Sequence, residues 1–577
     1  MRRLLTLKHK YSRLTPTRMM NQRLAPEILS QIFVSVLDDI LVHSSLSFLA
    51  TTKPEETSSV CSFLFRRYVR LSHVCAYWRE VMISTPKLWS IIFFGAFPRD
   101  HLQTVSETFL SRSKGYPLKI SLAESGIQDQ DYIAHLETSQ LKELNIKCNT
   151  VALSDGSHLH RLLTSPAPLL ETLDIDLKTH SLPALFNGVF SSLRCISVVG
   201  GHFEPNKFSN LSHLSLTTVH YDEVGSSAFY LLLKDNPLLE ELNLTHPFSW
   251  LTPRDETQPE KLDMRCLRSI SVSHGYTEQY NYLLSILELP PHATITFQVS
   301  NDPIEFNMFD VFPSDVTHLK NLANLTSISI ILDVDMAHTV GYGPSGAFNI
   351  HACLNHDGPM DDDVSPEEFY DDIYMDNLES LSSLPLTHVT ALWLHGPSSA
   401  IKISDHEFWK EILDQFPALE ELYLARWDTR AIIEALGSRF FHSYDTPPPE
   451  SVACKNLKLI SIYNDPNLCA FEEMLCTAQS RAEDYGCPIK KFVLQHLVGC
   501  SRKVVQGHLD RIRKYVEVVE YVPYKDMWPQ IHIPEEFGKP RHRQWTTWEE
   551  DCARMKEYYE GPAIDLDKDI DTAFSDL

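Results

Sequence analysis

Several features that mark secreted, membrane-spanning and catalytic proteins are missing from this sequence. Its twelve cysteines are scattered and include no C-x-x-C pair, which argues against a disulfide framework and for reduced thiols. The longest nearly unbroken apolar stretch, Leu88 to Phe97, is interrupted by Ser90 and falls well short of the roughly 20 residues that a membrane helix needs. The start also lacks the continuous apolar core of a signal peptide. We therefore expect a protein of the cytoplasm or the nucleus without a membrane span.

The motifs of common catalytic sites are absent as well. The sequence contains no nucleophile elbow, P-loop or H-E-x-x-H. Gly341, Gly343 and Gly346 match the dinucleotide fingerprint G-x-G-x-x-G in letters. They do not follow a strand directly and no helix pattern opens after them, so a turn-rich loop is the better interpretation.

A metal site is a rival hypothesis for the same segment. His351, Cys353 and His356 could ligate a metal, with Asp357 alongside, but no fourth ligand stands at a recognised spacing. The sequence thus predicts no catalytic residue, no cofactor and no metal, and an enzyme that uses the loop at 334–386 is kept as an alternative.

Acidic residues outnumber basic ones by 76 to 51, which gives a net charge of −25. This excess argues against nucleic acid as the main partner. Ten acids lie between Asn355 and Glu379, and six more lie between Glu560 and Leu577. We interpret both stretches as solvated chain, and the alternative is an electrostatic arm for a basic partner.

The first 23 residues have the opposite charge, with seven Lys or Arg and no acid. We interpret this stretch as a disordered basic extension, because a helical pattern begins immediately afterwards. A mitochondrial transit peptide is the alternative.

Short amphipathic helices are predicted for most of the remaining first hundred residues. One helix starts at Pro26, a residue that suits the first helical position, and its apolar face comprises Ile28, Leu29, Ile32, Phe33 and Val36. A second helix ends near Thr85, because Pro86 disfavours a helical residue before it, and its apolar stripe comprises Leu71, Val74, Cys75, Trp78, Val81 and Met82. An apolar hook, Leu88-Trp89, follows. Helices this short expose more apolar surface than they can bury against each other, which implies a partner or an adjoining domain.

Three runs in this region resemble the F-box of basidiomycete F-box-like proteins. They are Leu24-Ala-Pro-Glu-Ile-Leu-Ser-Gln-Ile-Phe33, Leu71-Ser-His-Val-Cys-Ala-Tyr-Trp-Arg79 and Ser84-Thr-Pro-Lys-Leu-Trp89. The resemblance covers about residues 22–94, and its most specific parts are Val-Cys-x-x-Trp-Arg and Thr-Pro-x-Leu-Trp. The sequence departs from the family at Ala25, where a second proline is usual, and in an insert around 43–62 between the first two helices.

The resemblance implies binding to the Skp-type adaptor of a cullin–RING ubiquitin ligase. The positions that match the family's docking surface are Leu24, Pro26, Ile28, Leu29, Ile32, Phe33, Leu71, Val74, Cys75, Trp78, Leu88 and Trp89. A helix-in-groove interface uses this spacing. The alternative is that most of these residues form the core of the small domain itself.

From about residue 115 onward, an apolar-x-x-apolar-x-apolar motif returns eleven times, as alternating strands do. The triplets are Leu141-Leu144-Ile146, Leu170-Leu173-Ile175, Leu193-Ile196-Val198, Leu211-Leu214-Leu216, Leu239-Leu242-Leu244, Leu267-Ile270-Val272, Leu325-Ile328-Ile330, Val389-Leu392-Leu394, Leu419-Leu422-Leu424, Leu457-Ile460-Ile462 and Ile489-Phe492-Leu494. Helices are predicted between strands, for example at Glu223–Lys234 and Asp405–Phe416. Strand, turn, helix and turn form the unit that stacks into a parallel-sheet solenoid, and the pattern resembles the leucine-rich-repeat tails behind F-boxes.

The predicted fold class is therefore α/β, with a short helical F-box followed by an irregular leucine-rich-repeat-like solenoid. The predicted domains are a basic extension (1–21), the F-box-like domain (22–94), the solenoid (95–530) with an acidic flexible insert around 334–386, and a terminal region (531–577). In that last region Gln544–Tyr559 is predicted to be a capping helix, followed by the acidic tail. The expected function is that of a substrate receptor, which binds the adaptor through the helices and an unknown target protein through the solenoid. The alternative is an interaction scaffold that does not engage a ligase.

Overall fold

The computed structural model describes residues 24–43, 70–94, 102–123, 130–148, 157–177, 182–201, 208–219, 225–246, 260–299, 307–333, 336–353, 374–396, 406–425, 429–437, 452–463, 470–495 and 502–522. The predicted basic extension, the insert between the first helices, most of the acidic run and the capping helix lie outside these ranges. The chain divides into two compact units. Unit 1 comprises Met1–Gly201 with Arg541–Thr546, and unit 2 comprises His202–Pro540 with Thr547–Leu577.

Unit 1 begins with helices and continues as a parallel sheet. Its helices are α1 (Pro26–His43), α2 (Ala76–Ser84), α3 (Leu102–Ser113) and α4 (His158–Thr164), with 3-10 helices at Pro86–Trp89, Gln130–His135, Thr138–Gln140 and Leu185–Gly188. Its five strands pair in chain order, and they are β1 (Ile91–Phe93), β2 (Leu118–Ala123), β3 (Leu141–Cys148), β4 (Thr172–Leu177) and β5 (Cys195–Val199). Each strand feeds a crossover connection before the next one pairs, as parallel pairing requires.

Helix α2 is shorter than the sequence predicts. Residues 70–72 form a separate helical turn, and Cys75 has an extended backbone (φ −161°, ψ 169°). The Cys75 sulfur accepts a hydrogen bond from the Trp78 N–H at 3.4 Å, which caps the first turn of α2. The predicted single apolar stripe is therefore broken, and Leu71 and Val74 lie before the helix. Its end at Ser84, just before Thr85 and Pro86, agrees with the prediction.

Unit 2 contains a larger sheet of twelve strands within its described residues. In chain order the strands are β6 (His213–Thr217), β7 (Glu241–Thr245), β9 (Ser269–Gly275), β11 (Thr294–Val299), β12 (Ser327–Asp333), β13 (Met336–Tyr342), β14 (Ala347–Cys353), β15 (Ala391–His395), β16 (Glu421–Ala425), β17 (Leu459–Tyr463), β18 (Lys491–Gln495) and β19 (Val518–Val522). The short strands β8 (Leu262–Asp263) and β10 (Leu287–Glu288) pair separately. The α-helices between the strands are α5 (Gly225–Lys234), α6 (Thr277–Ile286), α7 (His406–Asp414), α8 (Thr429–Ala435), α9 (Ala470–Glu483) and α10 (Arg502–Ile512), and shorter 3-10 helices lie at Met308–Val311, Ser380–Ser383 and Leu386–His388.

The chain order of this sheet is interrupted by a hairpin. Strand β11 pairs in parallel with β14, β14 pairs antiparallel with β13, β13 pairs antiparallel with β12, and β12 pairs in parallel with β15. The sequence predicts a flexible insert around 334–386, but residues 336–353 form these two inner strands. Their backbone groups bond to neighbours on both sides, which is why this part of the segment is ordered.

All eleven predicted triplets lie in strands or directly before them, and every member is buried. Partners in adjacent strands are in register, as with Leu392, Leu422 and Ile460. The predicted helices at Glu223–Lys234 and Asp405–Phe416 correspond to α5 and α7. The α/β class with a mostly parallel sheet is thereby confirmed, because local alternation places the apolar side chains on one face of each strand.

Candidate docking surface

The predicted docking residues on helix α1 fall into two groups, buried and exposed. Leu29 and Phe33, one turn apart, are buried, and Ile32 is half-buried. Pro26 and Ile28 are exposed on other faces, and the Ile28 side chain is 50% exposed. One face of the first helix therefore packs against the protein, and apolar side chains on its other faces remain exposed.

Two contacts join α1 to α2 and explain this arrangement. The Tyr77 hydroxyl donates a hydrogen bond of 2.6 Å to the Leu24 carbonyl. The Phe33 and Trp78 rings meet edge to face with centroids 5.1 Å apart, a favoured aromatic geometry. Trp78 stays partly exposed, so it both supports the helix pair and contributes to its surface.

The residues before α2 add to the exposed apolar surface. Val74 is 58% exposed, and Leu24, beside Tyr77, is 49% exposed. Cys75 is exposed and Leu71 is half-buried. Four of the eleven exposed large apolar side chains in the described chain lie between residues 24 and 94, so exposed apolar surface is concentrated here, as at many protein-binding sites.

The third predicted run contributes to the interior of unit 1. Leu88 and Trp89 are buried, and the Trp89 indole N–H donates to the Met82 carbonyl at 2.8 Å. The Trp89 ring packs edge to face on Phe109 at 5.1 Å, and the Arg112 guanidinium lies 4.3 Å from its centroid. Leu29, Phe33, Leu88 and Trp89 therefore form core, and a partner would meet Leu24, Pro26, Ile28, Val74 and Cys75 instead.

A groove of about 320 Å³ lies between α2 and α3. Its apolar lining includes Met82, Ile83, Trp89 and Phe109, and Arg79 and Arg112 are its charged residues. Ile83 is 40% exposed, so the groove extends the exposed apolar surface of the helices. The groove has room for an apolar side chain.

The glycine motif has a structural role in the β13–β14 hairpin. A Cβ on Gly341 would overlap the Phe348 ring, and a Cβ on Gly343 would overlap the Asn324 carbonyl. A Cβ on Gly346 would approach the carbonyl oxygens of two neighbouring segments to 2.5 Å. These glycines permit close packing of backbone within the protein. Gly343 and Gly346 lie in the turn between β13 and β14, as expected, but Gly341 lies within strand β13 and not in a loop.

The histidine of the possible metal motif lies in the same hairpin. His351 and His338 are directly opposite in register, with ring centroids 6.0 Å apart. His338 Nε2 lies 2.7 Å from Asn349 Oδ1, and burial lowers the pKa of both histidines to about 4. His356 and Asp357 are outside the described ranges, and within those ranges no group of three His, Cys, Asp or Glu could hold a metal.

A second surface in unit 2 was missed by the sequence reasoning. Trp393 on β15 and Tyr423 on β16 are in register, and their rings stack 4.8 Å apart with planes inclined by 6°. We call these two residues the aromatic platform. Both occupy the middle x of an apolar-x-apolar pair in consecutive triplets, so comparing equivalent positions between repeats would have revealed them.

Comparisons with known proteins assign this chain to no family. A scan against models of protein families finds no model that matches the chain, and a search of curated proteins finds no match either. Within the described residues, no helix is long and apolar enough to cross a bilayer.

Proposed function

We propose that this protein is the F-box substrate-receptor subunit of a Skp/cullin/F-box-type ubiquitin ligase. The N-terminal helices of unit 1 bind the Skp-type adaptor. The sheet region, which we propose to be an irregular leucine-rich-repeat-like solenoid, binds a target protein. The protein performs no bond chemistry and needs no cofactor; it raises the effective concentration of the target near the ubiquitin-loaded enzyme.

The observation that carries the proposal is the exposed apolar surface beside an intact helical core. Ile28 and Val74 belong to the runs that resemble the F-box, and both are at least half exposed while Leu29 and Phe33 are buried. Burying such side chains in an interface contributes about 25 cal/mol per Å² of apolar surface. A helix partner laid on this face gains that free energy without disturbing the core.

The test is binding of the full chain to a purified Skp-type adaptor, measured by calorimetry. In the double variant Ile28→Asp, Val74→Asp, we expect the affinity to fall at least tenfold, because two charges would be desolvated at the interface. Circular dichroism and the thermal midpoint should stay close to those of the wild type, since both positions are exposed.

The matched control is Leu238→Asp, which places a carboxylate at a position 55% exposed in unit 2. This variant should bind the adaptor as the wild type does. Absence of saturable binding by folded wild-type protein would contradict the proposal and would favour a repeat scaffold without ligase engagement.

A further inference from the structure

The aromatic platform lies in a row of strand positions on the face of the sheet opposite the leucine triplets. The row runs Ser329, Trp393, Tyr423, Ser461 across β12, β15, β16 and β17. Two serines thus flank the stacked rings. Because neighbouring strands lie about 4.8 Å apart, each outer ring face adjoins a position with a small side chain, and both serines are buried.

One carboxylate stands beside this platform. Glu421 lies on the same face of β16 as Tyr423, two residues earlier, and it is exposed. The Tyr423 hydroxyl donates a 2.7 Å hydrogen bond to Glu421 Oε2. Burial and the adjacent carboxylate raise the pKa of Tyr423, so the phenol stays protonated and holds the carboxylate at the edge of the rings.

The charge of the surroundings is one-sided. At the outward positions of β15, β16 and β17, Glu421 is the single acidic residue and there is no Lys or Arg. Lys491, in the same register row on β18, pairs with Glu520. A carboxylate next to aromatic faces is complementary to a cation, since ring quadrupoles and a negative charge attract it together. A guanidinium suits this arrangement because it is planar and can stack while it pairs with a carboxylate.

The row also has unmet hydrogen-bonding capacity. Ser461 is 1% exposed, and within the described residues its hydroxyl has no hydrogen-bond partner. Buried polar groups nearly always have a partner in the protein, solvent or ligand. Ser461 is the register neighbour of Tyr423 on the side away from Trp393, so this unpartnered hydroxyl lies next to the platform.

We infer that the aromatic platform, with Glu421, binds an arginine-bearing segment of the target protein. The guanidinium stacks on the outer face of Tyr423 or Trp393 and pairs with the Glu421 carboxylate. The inference rests on the proposed function in taking the ligand to be part of a target; the binding chemistry itself does not depend on the adaptor.

The experiment uses the immobilised full chain and pools of fluorescein-labelled octapeptides, randomised except at one central position. That position is arginine, lysine or citrulline, the neutral isostere of arginine. We expect the arginine pool to bind at least ten times more strongly than the citrulline pool. Trp393→Ala and Tyr423→Ala should each remove most of this binding, whereas Tyr276→Ala, at an exposed tyrosine elsewhere in unit 2, should leave it unchanged.

Two Glu→Gln variants, which change the net charge equally, distinguish binding at the platform from nonspecific attraction of arginine to an acidic protein. Glu421→Gln should bring the arginine-to-citrulline ratio close to one. Glu517→Gln removes an exposed carboxylate of unit 2 outside the row and should leave the ratio unchanged. Equal binding of the arginine and citrulline pools, or an equal effect of the two Glu variants, would overturn the inference.

The two proposals fail separately. Peptide discrimination that persists in the Ile28→Asp, Val74→Asp variant, together with no adaptor binding by the wild type, would remove the ligase role and retain the platform. Adaptor binding without peptide discrimination would do the reverse.

Discussion

In the N-terminal region of unit 1, Ile28 and Val74 are 50% and 58% exposed, whereas Leu392 and Leu422 of the unit 2 sheet are fully buried. Both sets come from regular apolar patterns in the sequence. The sheet strands bury their pattern against the neighbouring repeat, so one face of every strand is used internally. Helices α1 and α2 can each bury only one stripe of apolar side chains. Apolar residues beyond one stripe therefore indicate a binding surface in the helices, whereas the apolar residues of the sheet strands form its core.

A large loss of unfolding free energy is expected from a substitution in the sheet core. Leu422→Ala removes a fully buried side chain, and such substitutions cost about 2–5 kcal/mol of unfolding free energy. Leu238→Ala, at an exposed position of the same unit, is the matched control and should change it by under about 0.5 kcal/mol. Urea unfolding followed by circular dichroism measures both, and similar losses would contradict this assignment of the core.

A somewhat smaller loss is expected at a buried cation of unit 2. Arg481 on α9 is fully buried and donates hydrogen bonds of 2.7–2.9 Å to the carbonyls of Leu436, Ala453 and Cys454. Arg481→Met leaves these acceptors without their donor, and we expect a loss of about 3 kcal/mol, since each unsatisfied buried group costs roughly 1–3 kcal/mol. Arg481→Lys keeps part of the bonding and should lose less. If Met were better tolerated than Lys at this position, hydrogen bonding would not be the cause.

The hairpin glycines should show a moderate effect. Gly343→Ala forces a Cβ onto the Asn324 carbonyl, and overpacking of this kind costs about 1–3 kcal/mol. Gly507→Ala on α10 meets open space and should stabilise slightly, because alanine favours a helix over glycine by up to about 1 kcal/mol. The thermal midpoints of the two variants should therefore move in opposite directions. Equal shifts would mean that Gly343 is not packed as described.

Acidification should weaken the hairpin through its two histidines. The pKa values of His338 and His351 are lowered to about 4 from 6.5, so the unfolded chain binds more protons between these values. Their stabilising contribution is complete above pH 6.5 and declines as the pH falls towards 4, by up to about 1.4 kcal/mol per pH unit for each histidine. Urea midpoints from pH 7.5 to 4.5 should show a shallower slope for His351→Gln than for the exposed control His135→Gln. Identical slopes would exclude the pair as the source.

The smallest effect on stability is expected at the exposed face of helix α1. Ile28→Ala should change the unfolding free energy by less than about 0.5 kcal/mol because the side chain is exposed. Phe33→Ala, at a buried position five residues later on the same helix, should cost about 3–5 kcal/mol. Calorimetric unfolding compares the two. A large loss at Ile28 would mean that it belongs to the core rather than to a docking surface.

The strands that carry the leucine triplets could be predicted because alternation is local: Leu242 and Leu244 point the same way in any extended chain, and Leu239 precedes the strand. The hairpin β13–β14 could not. His338 and Asn349 are buried polar residues, and their burial depends on pairing between strands that the sequence pattern does not mark. The apolar pattern also could not predict where α2 starts, since a continuous helix would have the same apolar spacing as the helix that begins after the Cys75 cap.

The sequence by itself determined the α/β class, the strand positions and the runs at Leu24–Phe33, Leu71–Arg79 and Ser84–Trp89 that resemble an F-box, because each depends on neighbouring residues. The tertiary structure decided which residues of those runs are surface. Ile28 and Leu29 are adjacent in sequence, yet only Leu29 is buried, because Phe33 and Trp78 fix how the helices face each other. It also brought Trp393 and Tyr423 into contact across 30 residues of chain, since strand register, which is set by the packing of the whole sheet, determines which side chains stack.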